Sequence, residues 1–215
     1  MVSPSKVAAF HAQYDRHPDD RVRLFRALVG LLEPGVVLYA GSYVDIAPSV
    51  WFDEVVYVDT DDRAARFFAE AEQVDDLVGA KRREFGAELR SPPRVSFHHG
   101  DYREPMPIAD GSVDLLVSLY AGFVTEHCSR YLRVGGYLLA NPSHGDVARA
   151  ALDDRYELAA ALISRDGDYS SRTEGLDEYL VPKRPEQATV EHITATGRGI
   201  AYTRSAFAYV FRRRS

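Results

Sequence analysis

The strongest constraint in this sequence is a short apolar run that recurs along the chain and stops each time at a glycine, an acid or a turn. Val36-Val37-Leu38-Tyr39-Ala40 stops at Gly41, Glu54-Val55-Val56-Tyr57-Val58 at Asp59, Val113 to Leu119 at Tyr120-Ala121-Gly122, and Tyr137 to Asn141 at Pro142. Such runs lack the alternation of a sheet with one wet face. They predict strands covered on both faces, as in a parallel sheet. A shorter strand, Arg94 to His98, leads to Gly100-Asp101-Tyr102.

Helical periodicity fills the intervals. Arg21 to Leu32 places Val22, Phe25, Leu28, Val29 and Leu32 at spacings of three and four, ended by Glu33-Pro34-Gly35. From Asp61 one face carries Ala64, Ala65, Phe67, Phe68, Ala71, Val74 and Leu77, with acids in the first turn to suit the helix dipole. Lys81 to Pro93 is expected to be a frayed extension of that helix and a loop closing with Ser91-Pro92-Pro93. Thr125 to Leu132 and Asp146 to Asp153 are expected helices, with Gly135-Gly136 a turn.

Strands alternating with helices predict an α/β fold with a doubly wound, mostly parallel sheet. Seven strands are expected, with Val36 to Ala40 central. Ala206 to Arg212 alternates aromatic and small residues and arrives without a long preceding helix. It is expected to be antiparallel, with Tyr156 to Ile163 as its edge partner. The 215 residues suit one domain, 1–215, with a helical segment over 1–35 and a polar insertion over 164–205.

Composition narrows the function classes. Lys and Arg total 26 against 32 Asp and Glu, a formal charge of −6, so the overall field does not draw the chain to nucleic acid. No apolar run reaches the roughly 18 residues of a membrane span, and Met1 to Asp20 lacks a signal-peptide core, so a cytoplasmic location is expected. Cys128 is the single cysteine, which excludes an internal disulfide and every multi-thiolate zinc site. His98-His99 and His127-Cys128 are adjacent pairs that point apart, so no metal site is expected.

In an open parallel sheet, ligands bind beyond the carboxyl ends of the strands, near the switch in strand order. Those ends carry Gly41-Ser42-Tyr43, Asp59-Thr60, Gly100-Asp101-Tyr102 and Tyr120. Asp59 follows Gly41 by 18 positions, close to the roughly 20-residue separation at which an acid can bind a ribose hydroxyl. Asp59 would equally serve the start of the next helix, and Asp101 a turn.

With these segments in place, the chain resembles the class I S-adenosylmethionine (SAM)-dependent methyltransferases. The resemblance is carried by His99-Gly100-Asp101-Tyr102, by Met106-Pro107 through Ser112-Val113-Asp114 to Val117, and by Tyr131-Leu132-Arg133-Val134-Gly135-Gly136-Tyr137-Leu138-Leu139, in order within about half the chain. It implies a SAM cofactor and methyl transfer to a small-molecule acceptor, with 164–205 capping the substrate side. Gly41 and Ser42 would approach the methionine part, Asp59 would hold the ribose hydroxyls and Asp101 would accept from the adenine amino group, with Tyr43, Thr60 and Gly100 among the cofactor-binding residues. Tyr102 and Tyr120 would flank the adenine or the methyl-transfer face.

The first loop departs from the family's pattern of an acid followed by several glycines. Tyr39-Ala40-Gly41-Ser42-Tyr43-Val44-Asp45-Ile46-Ala47-Pro48 keeps one glycine, and 13 residues, Gly41 to Asp53, separate the strands. The helix there is expected to be little more than a turn, and SAM binding weak, altered or lost. A catalytically silent methyltransferase-like binding domain is the alternative. A nicotinamide-dependent oxidoreductase is disfavoured by the missing Gly-x-Gly-x-x-Gly and the antiparallel tail. Asn141-Pro142-Ser143-His144 looks like an amine-methylating signature, but it follows the fifth strand instead of the fourth, and a strand-end turn is the simpler role.

Overall fold

The apolar runs form one eight-stranded sheet in the order β3-β2-β1-β4-β5-β8-β6-β7. The computed structural model describes residues 5–14, 19–87 and 92–215. Strands β1 (Val36–Ala40), β2 (Glu54–Asp59), β3 (Arg94–His99), β4 (Val113–Ser118) and β5 (Leu132–Ala140) are parallel. β1 lies between β2 and β4, in register Val37↔Val55 and Val37↔Leu115. Four of its five residues are buried, as helix-covered faces require. The tail strand β8 (Ala208–Arg213) inserts antiparallel between β5 and β6 (Tyr156–Arg165).

The sheet has one strand more than the sequence led us to expect, and β6 is interior. Its outer neighbour is β7 (Asp168–Arg172), joined to it by Asp166-Gly167. Both linking residues have positive φ, 53° and 82°, which is the backbone of a tight two-residue hairpin. β7 is almost entirely polar. It is held by Tyr169, whose ring packs edge-on against Phe207 at 5.0 Å and whose hydroxyl donates to Asp20 Oδ2 at 2.8 Å.

Helices flank the sheet: α1 (Lys6–Tyr14), α2 (Asp20–Arg26), α3 (Ala47–Trp51), α4 (Asp62–Ala69), α5 (Ala71–Phe85), α6 (Val124–Cys128), α7 (Asp146–Leu152) and α8 (Val190–Thr196). Three differ from expectation. The helix after Asp61 breaks at Glu70 (φ −87°, ψ 57°), so α4 leans on β3 while α5 packs on α3 and α1. α2 ends at Arg26 and gives way to turns around Gly30 (φ 84°), although Leu28 and Leu32 still bury. α6 is a short helix because Leu132 already pairs with Val113. Gly135-Gly136 lies inside β5 at a bulge, not in a turn. α5 continues to Phe85, and the residues after it that fall on 88–91, Ser91 included, lie outside the described residues.

The sequence pattern around β4 and β5 has a local physical cause. Asp114 Oδ2 accepts from the amides of Gly35 (2.9 Å) and Val36 (2.8 Å), and Arg133 Nε donates to its other oxygen. A Cβ on Gly136 would stand 3.0 Å from both the Asp114 and Arg133 carbonyl oxygens, so glycine is what lets the bulge close. These residues anchor the starts of β1, β4 and β5, at the end of the sheet opposite the candidate site.

The β1–β2 crossover is held from outside by Arg82 of α5, a buried arginine that donates from Nε to Ser49 O (2.9 Å) and from Nη2 to Phe52 O (3.0 Å). Arg82→Ala would leave two carbonyls without their charged donors. It is expected to cost about 2 to 4 kcal/mol in urea unfolding, whereas a change below about 0.5 kcal/mol would show that α5 does not hold the crossover.

Candidate functional site

The strand order reverses between β1 and β4, and there the carboxyl ends of β1 to β5 bring the candidate residues together. Gly41 sits just beyond β1 with φ 68°, and its amide donates to Val58 O at 2.8 Å, a carbonyl that the Ser42 amide also approaches at 3.2 Å. Tyr43 follows at φ 46°, with its amide on Asp59 Oδ2 at 2.7 Å. Asp59 Oδ1 accepts from the Asp61 amide at 2.8 Å. Asp59 therefore ties the first loop to the start of α4, while the N-cap of that helix is Asp61. Thr60 is exposed and its carbonyl meets His99 Nε2 at 3.1 Å.

Inside the first loop, Asp45 is buried. It accepts from Tyr39 Oη (3.1 Å) and from the Ala47 amide (3.0 Å). Burial, then the nearby Asp45 carboxylate, pushes the Tyr39 hydroxyl pKa far upward, so it stays a donor. α3 begins at Ala47 and lasts five residues, in line with the short crossover.

Gly100 continues the β3 end, its amide on Asp59 O at 3.0 Å. The Asp101 carboxylate accepts from the Arg103 amide (2.9 Å) and from the Arg103 guanidinium, with Nε at 2.9 to 3.0 Å, which lowers its pKa. The same turn recurs at Asp61-Asp62-Arg63 and Asp153-Asp154-Arg155. The device at Asp101 is thus a general one in this chain and is not peculiar to the strand ends.

Tyr102 reaches across to the loop after β4, where its hydroxyl donates to Ala121 O at 2.6 Å. That loop is fastened at three more points. The Tyr120 amide (φ 61°) donates to Asn141 Oδ1 at 3.2 Å; the Ser143 hydroxyl also donates to Asn141 Oδ1, so Asn141 acts as a strand-end turn residue. The buried Asp146 carboxylate accepts from the Thr125 amide at 3.2 Å and from the Thr125 hydroxyl; burial raises its pKa against the opposing hydrogen bonds from Ser118 and Thr125. The Tyr120 ring lies under the Arg21 guanidinium at 4.9 Å, with Phe207 at 5.8 Å from the same group.

Fastened in this way, the loop places Ala121 on Gly41. A Cβ at Gly41 would stand 2.5 Å from the Ala121 Cβ. The space between the β1 and β4 loops is therefore closed in this conformation. Ala121, Asn141, Asp146 and Arg21 all shape the site; of these the sequence marks only Asn141, in its strand-end turn, and Ala121, Asp146 and Arg21 do not stand out by residue type. The positive φ values at Tyr43 and Tyr120 belong to non-glycine residues, which are uncommon there and mark the strand ends as a strained region.

No family model and no curated protein matches this sequence. Solved structures do match the fold. A methyltransferase from Geobacter sulfurreducens superposes with a TM-score of 0.50 at 13% identity, covering 100% of this chain and 91% of its own. A Klebsiella pneumoniae protein provisionally described as an O-methyltransferase superposes at 0.52 and 12% identity, covering 80% of this chain and 89% of its own. The chain shares the fold of these methyltransferases. Among the described residues no helix is long and apolar enough to cross a membrane.

Gly41→Ala would meet two penalties, a positive φ and the Ala121 methyl group. A loss of about 2 to 4 kcal/mol of stability is expected. Adding Ala121→Gly is expected to recover about 1 kcal/mol or more of it, and a double-mutant cycle on thermal unfolding measures that coupling. Strict additivity would mean that the two residues do not touch.

Proposed function

We propose that the chain is a methyltransferase-like protein whose strand-end cleft takes SAM, or its demethylated product S-adenosylhomocysteine, with weak affinity, for methyl transfer to a small-molecule acceptor beneath residues 164–205. The observation that carries this reading is the position of Asp59, at the end of β2 beside the switch in strand order. Each of its oxygens accepts one backbone amide, and a carboxylate oxygen has a second lone pair with which to accept from a ribose hydroxyl. Asp101, just beyond β3, is occupied on both oxygens by Arg103, so its acceptance from an adenine amino group requires part of that pair to give way.

The residues fit the nucleoside half of such a ligand and not its methionine half. Gly41 and Ser42 direct their amides to Val58 O, and Ala121 fills the space over Gly41. Binding of the whole cofactor thus requires residues 120–123 to withdraw and the Tyr102–Ala121 hydrogen bond to break. The energy of that opening subtracts from affinity. The closed contact is also what favours the second reading, a catalytically silent methyltransferase-like domain that uses its surface for binding.

Calorimetric titration with S-adenosylhomocysteine, on the parent and on Tyr102→Phe, separates the two. The parent is expected to bind with Kd on the order of 100 μM or weaker. Tyr102→Phe removes the latch while keeping the ring, and is expected to tighten binding about three- to tenfold. Absence of binding by both proteins at millimolar ligand would establish the silent reading, and clear binding of NAD in their place would support the oxidoreductase.

A further inference from the structure

A second cleft lies between α1 and α4, beside the first loop, where the Arg63 guanidinium stands over the Tyr43 ring at 5.3 Å and Phe10 lies 6.4 Å from that ring. It has a volume of about 300 Å³. Val7, Phe10 and Phe67 make its floor, and Lys6, Arg63 and Arg66 stand around it. Val7 and Phe67 are buried, and Phe10 packs against Phe67 with ring centroids 6.4 Å apart.

The cations are not equivalent. Arg63 is neutralised by Asp61, with Nη2 2.6 Å from the carboxylate. Arg66 donates to the Asp62 carbonyl at 3.2 Å and, among the described residues, has no ion pair. Lys6 likewise has none among the described residues. One acid, Glu70, also lines the cleft, and it accepts from Gln73. With Arg63 paired to Asp61, two cations, Lys6 and Arg66, stand against one acid, Glu70, a local excess of positive charge in a chain of formal charge −6. An apolar floor with two cations at its edge that form no ion pair among the described residues is complementary to a molecule with an apolar body and one negative end.

We propose that this cleft binds a small amphiphilic carboxylate, its short acyl or aryl body against Val7, Phe10 and Phe67 and its charge between Lys6 and Arg66. The inference does not rest on the cofactor reading: it is argued from α1 and α4 side chains alone, two of which, Phe10 and Arg63, adjoin the Tyr43 ring of the first loop. A phosphate group without an apolar body would leave the floor uncovered. An amphiphilic cation would face repulsion from the two cations.

The test uses the full chain with octanoate, octylamine and inorganic phosphate as probes in calorimetric titrations. Octanoate is expected to bind with Kd on the order of 0.1 to 1 mM and to weaken as salt is raised. Octylamine and phosphate are expected to bind at least tenfold more weakly. Arg66→Glu, at an exposed position, should weaken octanoate at least tenfold while leaving the far-ultraviolet circular dichroism and the melting temperature close to the parent's. Lys6→Glu is expected to act in the same direction. The proposal is overturned if octanoate does not bind, if octylamine binds as well, or if octanoate binds a folded Arg66→Glu variant unchanged. It is also overturned if sedimentation shows that a second copy of the chain covers the cleft and excludes octanoate.

Discussion

Only 13 residues, Gly41 to Asp53, carry the chain from β1 to β2, and the organisation of the strand ends follows from that. A right-handed crossover between adjacent parallel strands needs about a dozen residues with its helix included, so only the five-residue α3 fits and little is left for a glycine-rich turn. The loop consequently satisfies its own polar groups. Its amides go to Val58 O and to Asp59, Asp45 folds back on Tyr39 and Ala47, and Arg82 secures the carbonyls at the far end. A loop that is internally complete offers few free donors to a ligand.

The loop after β4 completes the closure. Asp146, Asn141 and Tyr102 hold it from three sides, and Ala121 comes to rest on the one glycine that remains. Asp146 accepts burial in an apolar region because Thr125 and Ser118 supply hydrogen bonds to it. Its raised pKa means that the fold disfavours the ionised form, so its contribution to stability is full below the ordinary carboxylate range and is lost as pH rises through the raised pKa. Asp101 has the opposite sign. Its pKa is lowered by the Arg103 hydrogen bonds, so its contribution is present above the ordinary carboxylate range and fades below it.

The buried parallel strands were legible because β1, β2, β4 and β5 are apolar over most of their length, and a short strand of that kind has to be covered on both faces. β7 was not, since Asp168-Tyr169-Ser170-Ser171-Arg172 has neither an apolar run nor a strict alternation. Its signal was the Asp166-Gly167 pair, a hairpin turn between two segments, one of which was already visible. The break at Glu70 is invisible to periodicity, because Ala64, Phe67, Val74 and Leu77 keep a helical spacing straight through it. At the site, the acids could be placed from their strand-end positions. The strand-end turn at Asn141 was legible too, but the closure was not, because Ala121 and Asp146 act through tertiary contacts between segments distant in the chain.

The central claim is that the first loop is closed on β2 by its own hydrogen bonds and covered by Ala121. Amide hydrogen exchange at Gly41 and Ser42, followed by NMR, tests it most directly. The claim predicts that both amides exchange slowly, by a factor of about 10³ or more relative to an unstructured peptide, with Gly41 the slower because its bond to Val58 O is shorter. Exchange of both amides near the unprotected rate, in protein whose β1 and β4 core amides remain protected, would contradict it.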